Sequence, residues 1–161
     1  MKHVITTLVQ NQPGVLAHVA GMFSARSFNI DSLVVGRTDD PALSRMTIVA
    51  IGDDRVLEQI RKQLEKIVTV VKVRDFQDVS YVERDLMLVR VHAPGEKRPE
   101  IIELVNLFRG RVVDVARQSV IVELSGPEEK VEAFIDLVRP YGISELARTG
   151  VIAMKRGKQP S

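Results

Sequence analysis

Apolar positions along the chain fall into short runs and helical stripes in a fixed order, and that order occurs twice. Val4-Ile5-Thr6-Thr7-Leu8-Val9 is short and rich in β-branched residues, which marks a strand. After it, Val15, Leu16, Val19, Met22 and Phe23 recur at helical spacing. The pattern over the first half predicts strand 3–10, helix 13–27, strand 30–37, strand 43–51, helix 54–66 and strand 68–75. In the second helix Val56, Ile60, Leu64 and Ile67 form the apolar stripe, and Glu58, Arg61, Lys62 and Glu65 fill the opposite face. Asp53 or Asp54 is its natural N-cap. Thr38-Asp39-Asp40-Pro41 is turn chemistry between two strands.

The second half repeats the order. Leu86 to Val91 reads as a strand, ended by Ala93-Pro94-Gly95. Ile101, Val105 and Phe108 line a helix that Gly110 is expected to close. Arg111 to Val115 and Val120 to Leu124 are two more strands, and Val131, Phe134, Ile135 and Val138 line a further helix. Ile143 to Ala147 and Val151 to Met154 end the chain in extended form. The expectation is an α+β protein of tandem ferredoxin-like βαββαβ units, with one larger α+β domain as the alternative. The units would occupy 1–76 and 85–161, with 77–84 as linker. Strand 30–37 is expected at a sheet edge, where pairing with the same strand of a second chain would cover its apolar residues and form a two-fold homodimer.

The loop Asn11-Gln12-Pro13-Gly14-Val15-Leu16 joins the first strand to the first helix. Pro13 fits the first helical position, and Gly14 lets a ligand approach the backbone. Gln12, in the expected capping position, is not a strong capper, so the first helical N–H groups lack a side-chain acceptor. An anion such as an amino-acid α-carboxylate suits that place. Asn11 and Asn29 offer carboxamide oxygens to an α-ammonium group. Leu8, Val15, Leu16, Ile30 and Leu33 would suit a branched apolar side chain. Each of these residues alone also fits an ordinary loop or turn.

Composition narrows the classes. The 161 residues contain no cysteine, which excludes disulfides, thiolate metal sites and cysteine nucleophiles. No apolar run of ~20 residues is present and Met1-Lys2-His3 leads straight into a strand pattern, so no membrane span or signal peptide is expected, and the expected compartment is the cytoplasm. The net charge of +2 comes from interleaved acids and bases, and the only basic cluster is the tail, Lys155-Arg156-Gly157-Lys158. His3, His18 and His92 are scattered, and no metal-ligand spacing, phosphate-cradling glycine loop or nucleophile elbow occurs. Asp39-Asp40 precedes a proline and reads as a turn. RNA-recognition modules share the βαββαβ order, but they stack bases on strand aromatics. Here Val4 to Val9 and Met46 to Ile51 contain none, so no nucleic-acid partner is expected.

The loop at 11–16 resembles the opening of an ACT domain, a small amino-acid-sensing module. More specific are Phe28 to Leu33, Thr38 to Thr47, Phe108 to Val115 and Ala147 to Val151, which in that order resemble the regulatory small-subunit family of acetolactate synthase. The resemblance spans nearly the whole chain. It implies a non-catalytic chain, with no cofactor of its own, that activates a large catalytic subunit and confers feedback inhibition by valine. That partner would carry thiamine diphosphate, FAD and Mg²⁺ and condense pyruvate with pyruvate or 2-oxobutyrate, early in branched-chain amino-acid synthesis. The implied effector contacts are Asn11, Gly14, Val15 and Leu16 from one chain and Asn29 and Ile30 from the other. Some relatives carry a more polar residue in place of Pro13. Two other classes are a free-standing tandem ACT sensor acting on a transcriptional regulator and a small enzyme, which would need turnover by the isolated chain.

Overall fold

A computed structural model describes residues 1–157. The elements run β1 (Lys2–Gln10), α1 (Val15–Ala25), β2 (Asn29–Arg37), β3 (Leu43–Ile51), α2 (Asp54–Glu65), β4 (Val70–Asp75), β5 (Tyr81–His92), α3 (Arg98–Leu107), β6 (Arg111–Val115), β7 (Ser119–Gly126), α4 (Glu128–Val138) and β8 (Ile143–Lys155). They build two four-stranded sheets, ordered β2-β3-β1-β4 and β6-β7-β5-β8. The orders are equivalent, so the repeat read from the hydrophobic pattern is a repeat of topology. Strand 29–37 lies at a sheet edge, as its pattern predicts.

Compact packing divides the chain into Met1–Val82, joined by the chain from Val151 onward, and Glu83–Gly150. The stretch 77–84 is strand from Tyr81 on, because β5 is 12 residues long. The two extended segments expected at the end of the chain are one strand, β8, with Gly150 at φ 90° in its middle. Lys155 closes that strand, and Lys158 of the basic tail lies outside the described residues.

In the first unit the strand period of two separates the faces. Ile5 and Val9 of β1 and Met46, Ile48 and Ala50 of β3 form one core with Val15, Val19 and Phe23 of α1 and Leu57, Ile60 and Leu64 of α2. The α2 stripe is therefore centred on Leu57, with Val56 only partly buried at its margin. Asp53 caps α2, its Oδ1 accepting from Val56 N at 2.9 Å. Asp53→Ala removes that acceptor and is expected to cost about 1 kcal/mol, read as a lower urea midpoint with an unchanged slope.

The second unit repeats the plan with Met87, Val89 and Val91 of β5 and Val120, Val122 and Leu124 of β7 beneath Ile101, Val105, Val131, Phe134 and Val138. α1 and α3 also end alike. Phe28 N donates to Phe23 O and Ser27 N to Ser24 O, while Gly110 N donates to Val105 O and Arg109 N to Asn106 O. These are Schellman closures, with Ser27 at φ 56° and Arg109 at φ 57° in the left-handed position. The closing glycine expected at 110 thus sits one residue beyond the left-handed site. Its smallness serves packing, since a Cβ there would lie 3.1 Å from Glu123 O.

Candidate functional site

The α1 N-terminus carries the loop singled out by sequence. Gly14, not Gln12, is the N-cap, at φ 86° and ψ −9°. Pro13 therefore precedes the helix instead of opening it. Val15 N reaches Gln12 O at 3.5 Å, and the Gly14 dihedrals are those of the third residue of a type II turn with proline second. The Pro-Gly pair is thus explained by the turn: proline presets its φ, and glycine supplies the left-handed step.

No side chain caps this helix. His18 N, the fourth helical amide, donates to Gly14 O at 2.9 Å, and among the described residues no acceptor takes the Leu16 or Ala17 N–H. Two adjacent donors at the positive end of α1 therefore face outward beside an exposed glycine. A Cβ built on Gly14 meets no atom within 4 Å, so the space in front of them is open. Asn11, three residues before Gly14, is held against the turn between β2 and β3: its N donates to Ala42 O at 2.8 Å and its Nδ2 to Pro41 O at 3.1 Å, and among the described residues nothing donates to its Oδ1. The strand turn that holds Asn11 is organised by Asp40, whose Oδ1 accepts from Ala42 N at 2.9 Å. Asp40 is therefore a turn residue, as its position before Pro41 predicts.

The aliphatic lining divides. Val15 is buried in the core beneath α1, Leu16 is half-exposed on its surface, and Ile30 and Leu33 pack against the same core. Leu8 does not join them. It alternates with the core residues Ile5 and Val9 and so points to the sheet face away from the helices.

Asn29 and Ile30 are far from Asn11 within one chain. Gln10 pairs with Leu43 at one end of β3, and Asn29 pairs with Ile51 at the other. Nine residues of strand separate the ends, about 27 Å. Asn11, Gly14, Val15 and Leu16 share one strand-to-helix segment, and Asn29 and Ile30 lie at the far end of the sheet.

His3 is buried, with Nε2 3.1 Å from Gly52 O, at the start of α2. Among the described residues no group of three or more His, Asp or Glu is arranged to hold a metal ion, and no helix is long and apolar enough to cross a membrane.

Sequence reasoning passed over one buried ionic cluster. Asp85 of β5 is 1% exposed, and its Oδ2 accepts from Arg148 Nε at 3.0 Å and Nη2 at 2.5 Å. Arg148 also donates to Glu132 of α4. Burial works against the guanidinium, but its bonds to Glu132 and Asp85 outweigh that and hold its pKa above the usual arginine value. The sequence separation of 63 between Asp85 and Arg148 hides the pair from any local motif.

Two repeated ferredoxin-like α+β units are the architecture of tandem ACT domains. Comparison with known proteins agrees. Residues 5–72 match the family model of the AHAS small subunit-like ACT domain, and residues 84–157 match that of the small subunit of acetolactate synthase. The chain is 60% identical over 159 residues to a probable acetolactate synthase small subunit of Archaeoglobus fulgidus, covering 99% of each. It is 45% identical to the acetolactate synthase small subunit of Haemophilus influenzae, covering 99% of this chain and 98% of that one. The crystal structure of the acetolactate synthase small subunit from Thermotoga maritima matches with a TM-score of 0.90 at 43% identity, covering 99% of both chains. The chain belongs to the acetolactate synthase small-subunit family.

Proposed function

We propose that this chain is a non-catalytic regulatory subunit that activates the acetolactate synthase catalytic subunit and makes it sensitive to valine, with residues 1–76 as the effector-binding and dimer-forming part. The observation that carries the reading is the uncapped α1 N-terminus. The Leu16 and Ala17 N–H groups donate to the α-carboxylate of valine, and Asn11 Oδ1 accepts from its α-ammonium. Half-exposed Leu16 lies against its side chain.

Register supports a two-chain site. Antiparallel pairing of edge strand β2 with its copy sets the Asn29 end of one strand beside the Arg37 end of the other. Arg37 pairs with Ser44, next to the Leu43 end of the sheet that holds Asn11. Such a dimer brings Asn29 and Ile30 of one chain to the Gly14 loop of its partner, across a distance one chain cannot close. Valine bound across that seam favours the conformation in which the seam is closed. The catalytic subunit, with its thiamine diphosphate, FAD and Mg²⁺, feels the effector through this shift.

Calorimetric titration of the purified chain with valine, leucine and isoleucine tests the reading. Saturable valine binding, with stoichiometry set by the dimer seam, is expected. Reconstitution with the catalytic subunit should then give higher turnover that valine suppresses. Absence of binding by any of the three to both the free chain and the reconstituted complex overturns the effector assignment.

A further inference from the structure

The sheet face away from α1 and α2 carries a second concave feature, independent of the α1 N-terminus. Thr6 and Leu8 of β1, Arg45 of β3 and Lys72 and Arg74 of β4 line a hollow of about 170 Å³. Register explains the convergence. Leu8 pairs with Arg45 on one side and with Lys72 on the other, and Thr6 pairs with Arg74. All five positions are in phase on one face, so three cationic side chains rise around a floor of one methyl-bearing hydroxyl and one leucine. The β1–β4 register shifts between Leu8 and Val9, beside Lys72, and Thr7 Oγ1 donates to Lys72 O at 3.0 Å from the opposite face. The strand that carries two of the three cations is thus pinned at its irregular point.

No acid answers this charge. Some cations elsewhere have an acid beside them, as Lys2 has Asp31, Arg61 has Asp75, Lys62 has Glu58 and Arg90 has Asp114 and Glu145; what sets the hollow apart is that three cations converge there. Among the described residues Arg45, Lys72 and Arg74 make no ion pair, and no carboxylate lines the hollow. Lys72 and Arg74, two residues apart on one face of β4, repel each other. An anion held between the cations would relieve that repulsion.

We propose that this hollow is a binding site for a phosphate-class oxyanion. A carboxylate is satisfied by one guanidinium. Three cations, two of them planar forks that bind oxyanions in bidentate fashion, match a group with close to two negative charges and several acceptor oxygens. Thr6 adds a hydroxyl at the floor, and Leu8 keeps that floor partly apolar.

The test is calorimetric titration of the full chain with inorganic phosphate and inorganic diphosphate, with sodium chloride at matched ionic strength as reference. Arg45→Gln, Lys72→Gln and Arg74→Gln are compared with Lys62→Gln, which removes an exposed cation on α2. Saturable oxyanion binding is expected, weakened roughly tenfold or more by each of the three substitutions and unchanged by Lys62→Gln. Unchanged circular dichroism spectra show that the variants fold. Adenosine diphosphate separates the sources: affinity equal to that of diphosphate assigns a free oxyanion, and tighter binding assigns the phosphates of a nucleotide. Heats that follow ionic strength alone, or equal affinity in all four variants, overturn the proposal. Loss of catalytic-subunit assembly in the three variants without any oxyanion binding by the parent also overturns it, and makes the patch a docking surface for acidic protein.

Discussion

Gly14→Asp is expected to abolish valine binding while leaving the chain folded. The space in front of Gly14 is open, so an added side chain meets no atom within 4 Å. The backbone is the obstacle: φ 86° is left-handed, where an L residue costs about 1–2 kcal/mol and aspartate is among the residues that bear it best. The new carboxylate lies beside the free Leu16 and Ala17 N–H groups and takes the place of the ligand's own carboxylate. A charge-assisted hydrogen bond contributes about 1.5–3 kcal/mol, so affinity should fall roughly ten- to over a hundredfold. Gly14→Ala separates strain from competition. It carries at least the backbone cost of aspartate without the charge, and should keep most of the binding. Calorimetry on both variants reads the difference; normal valine affinity in Gly14→Asp places the effector elsewhere.

Arg148→Met should destabilise the second unit by about 3 kcal/mol. Removing one partner of a buried pair costs about 3–5 kcal/mol because the other charge is left without compensation. The arginine end is 26% exposed, which places the effect at the low end of that range, whereas Asp85 is 1% exposed. The Asp85 Oδ1 already has no hydrogen-bond partner, so Oδ2 and its two bonds from Arg148 carry all the compensation that side chain receives. The double variant Asp85→Leu with Arg148→Met removes both charges and should recover at least half of the loss. Urea unfolding of the parent, both single variants and the double closes the cycle. A single variant within about 0.5 kcal/mol of the parent would show that water compensates Asp85 in the native state.

The repeat was legible because each unit is written in two clear periods. Alternation in 4–9 and helical steps in 15–23 give element type directly, and the same order recurs after 85. Element ends were less legible where a turn competes with a helix. At Pro13-Gly14 proline suits both the first helical position and the second position of a type II turn, and the left-handed φ of Gly14 decides for the turn. At Arg109-Gly110 glycine was the natural choice for the left-handed closure. The chain puts arginine there instead, and the glycine one residue on serves a different need, its close approach to Glu123 O.

The site divides in the same way. Asn11, Gly14 and Leu16 lie within six residues, so the site proposed around them is local and visible in the sequence, and the weak cap follows from residue type alone. That Asn29 stands about 27 Å away along β3 is a matter of strand register. Register also gathers Arg45, Lys72 and Arg74 around Leu8, and brings Arg148 to Asp85 across 63 residues. By itself the sequence determined element order, the doubled unit, the edge position of β2 and the family, because periodicity and short motifs are properties of neighbours along the chain. Only the tertiary structure decided which charges converge and which remain unpaired. Those depend on which strands lie side by side and on a period of two that turns every second residue to the opposite face.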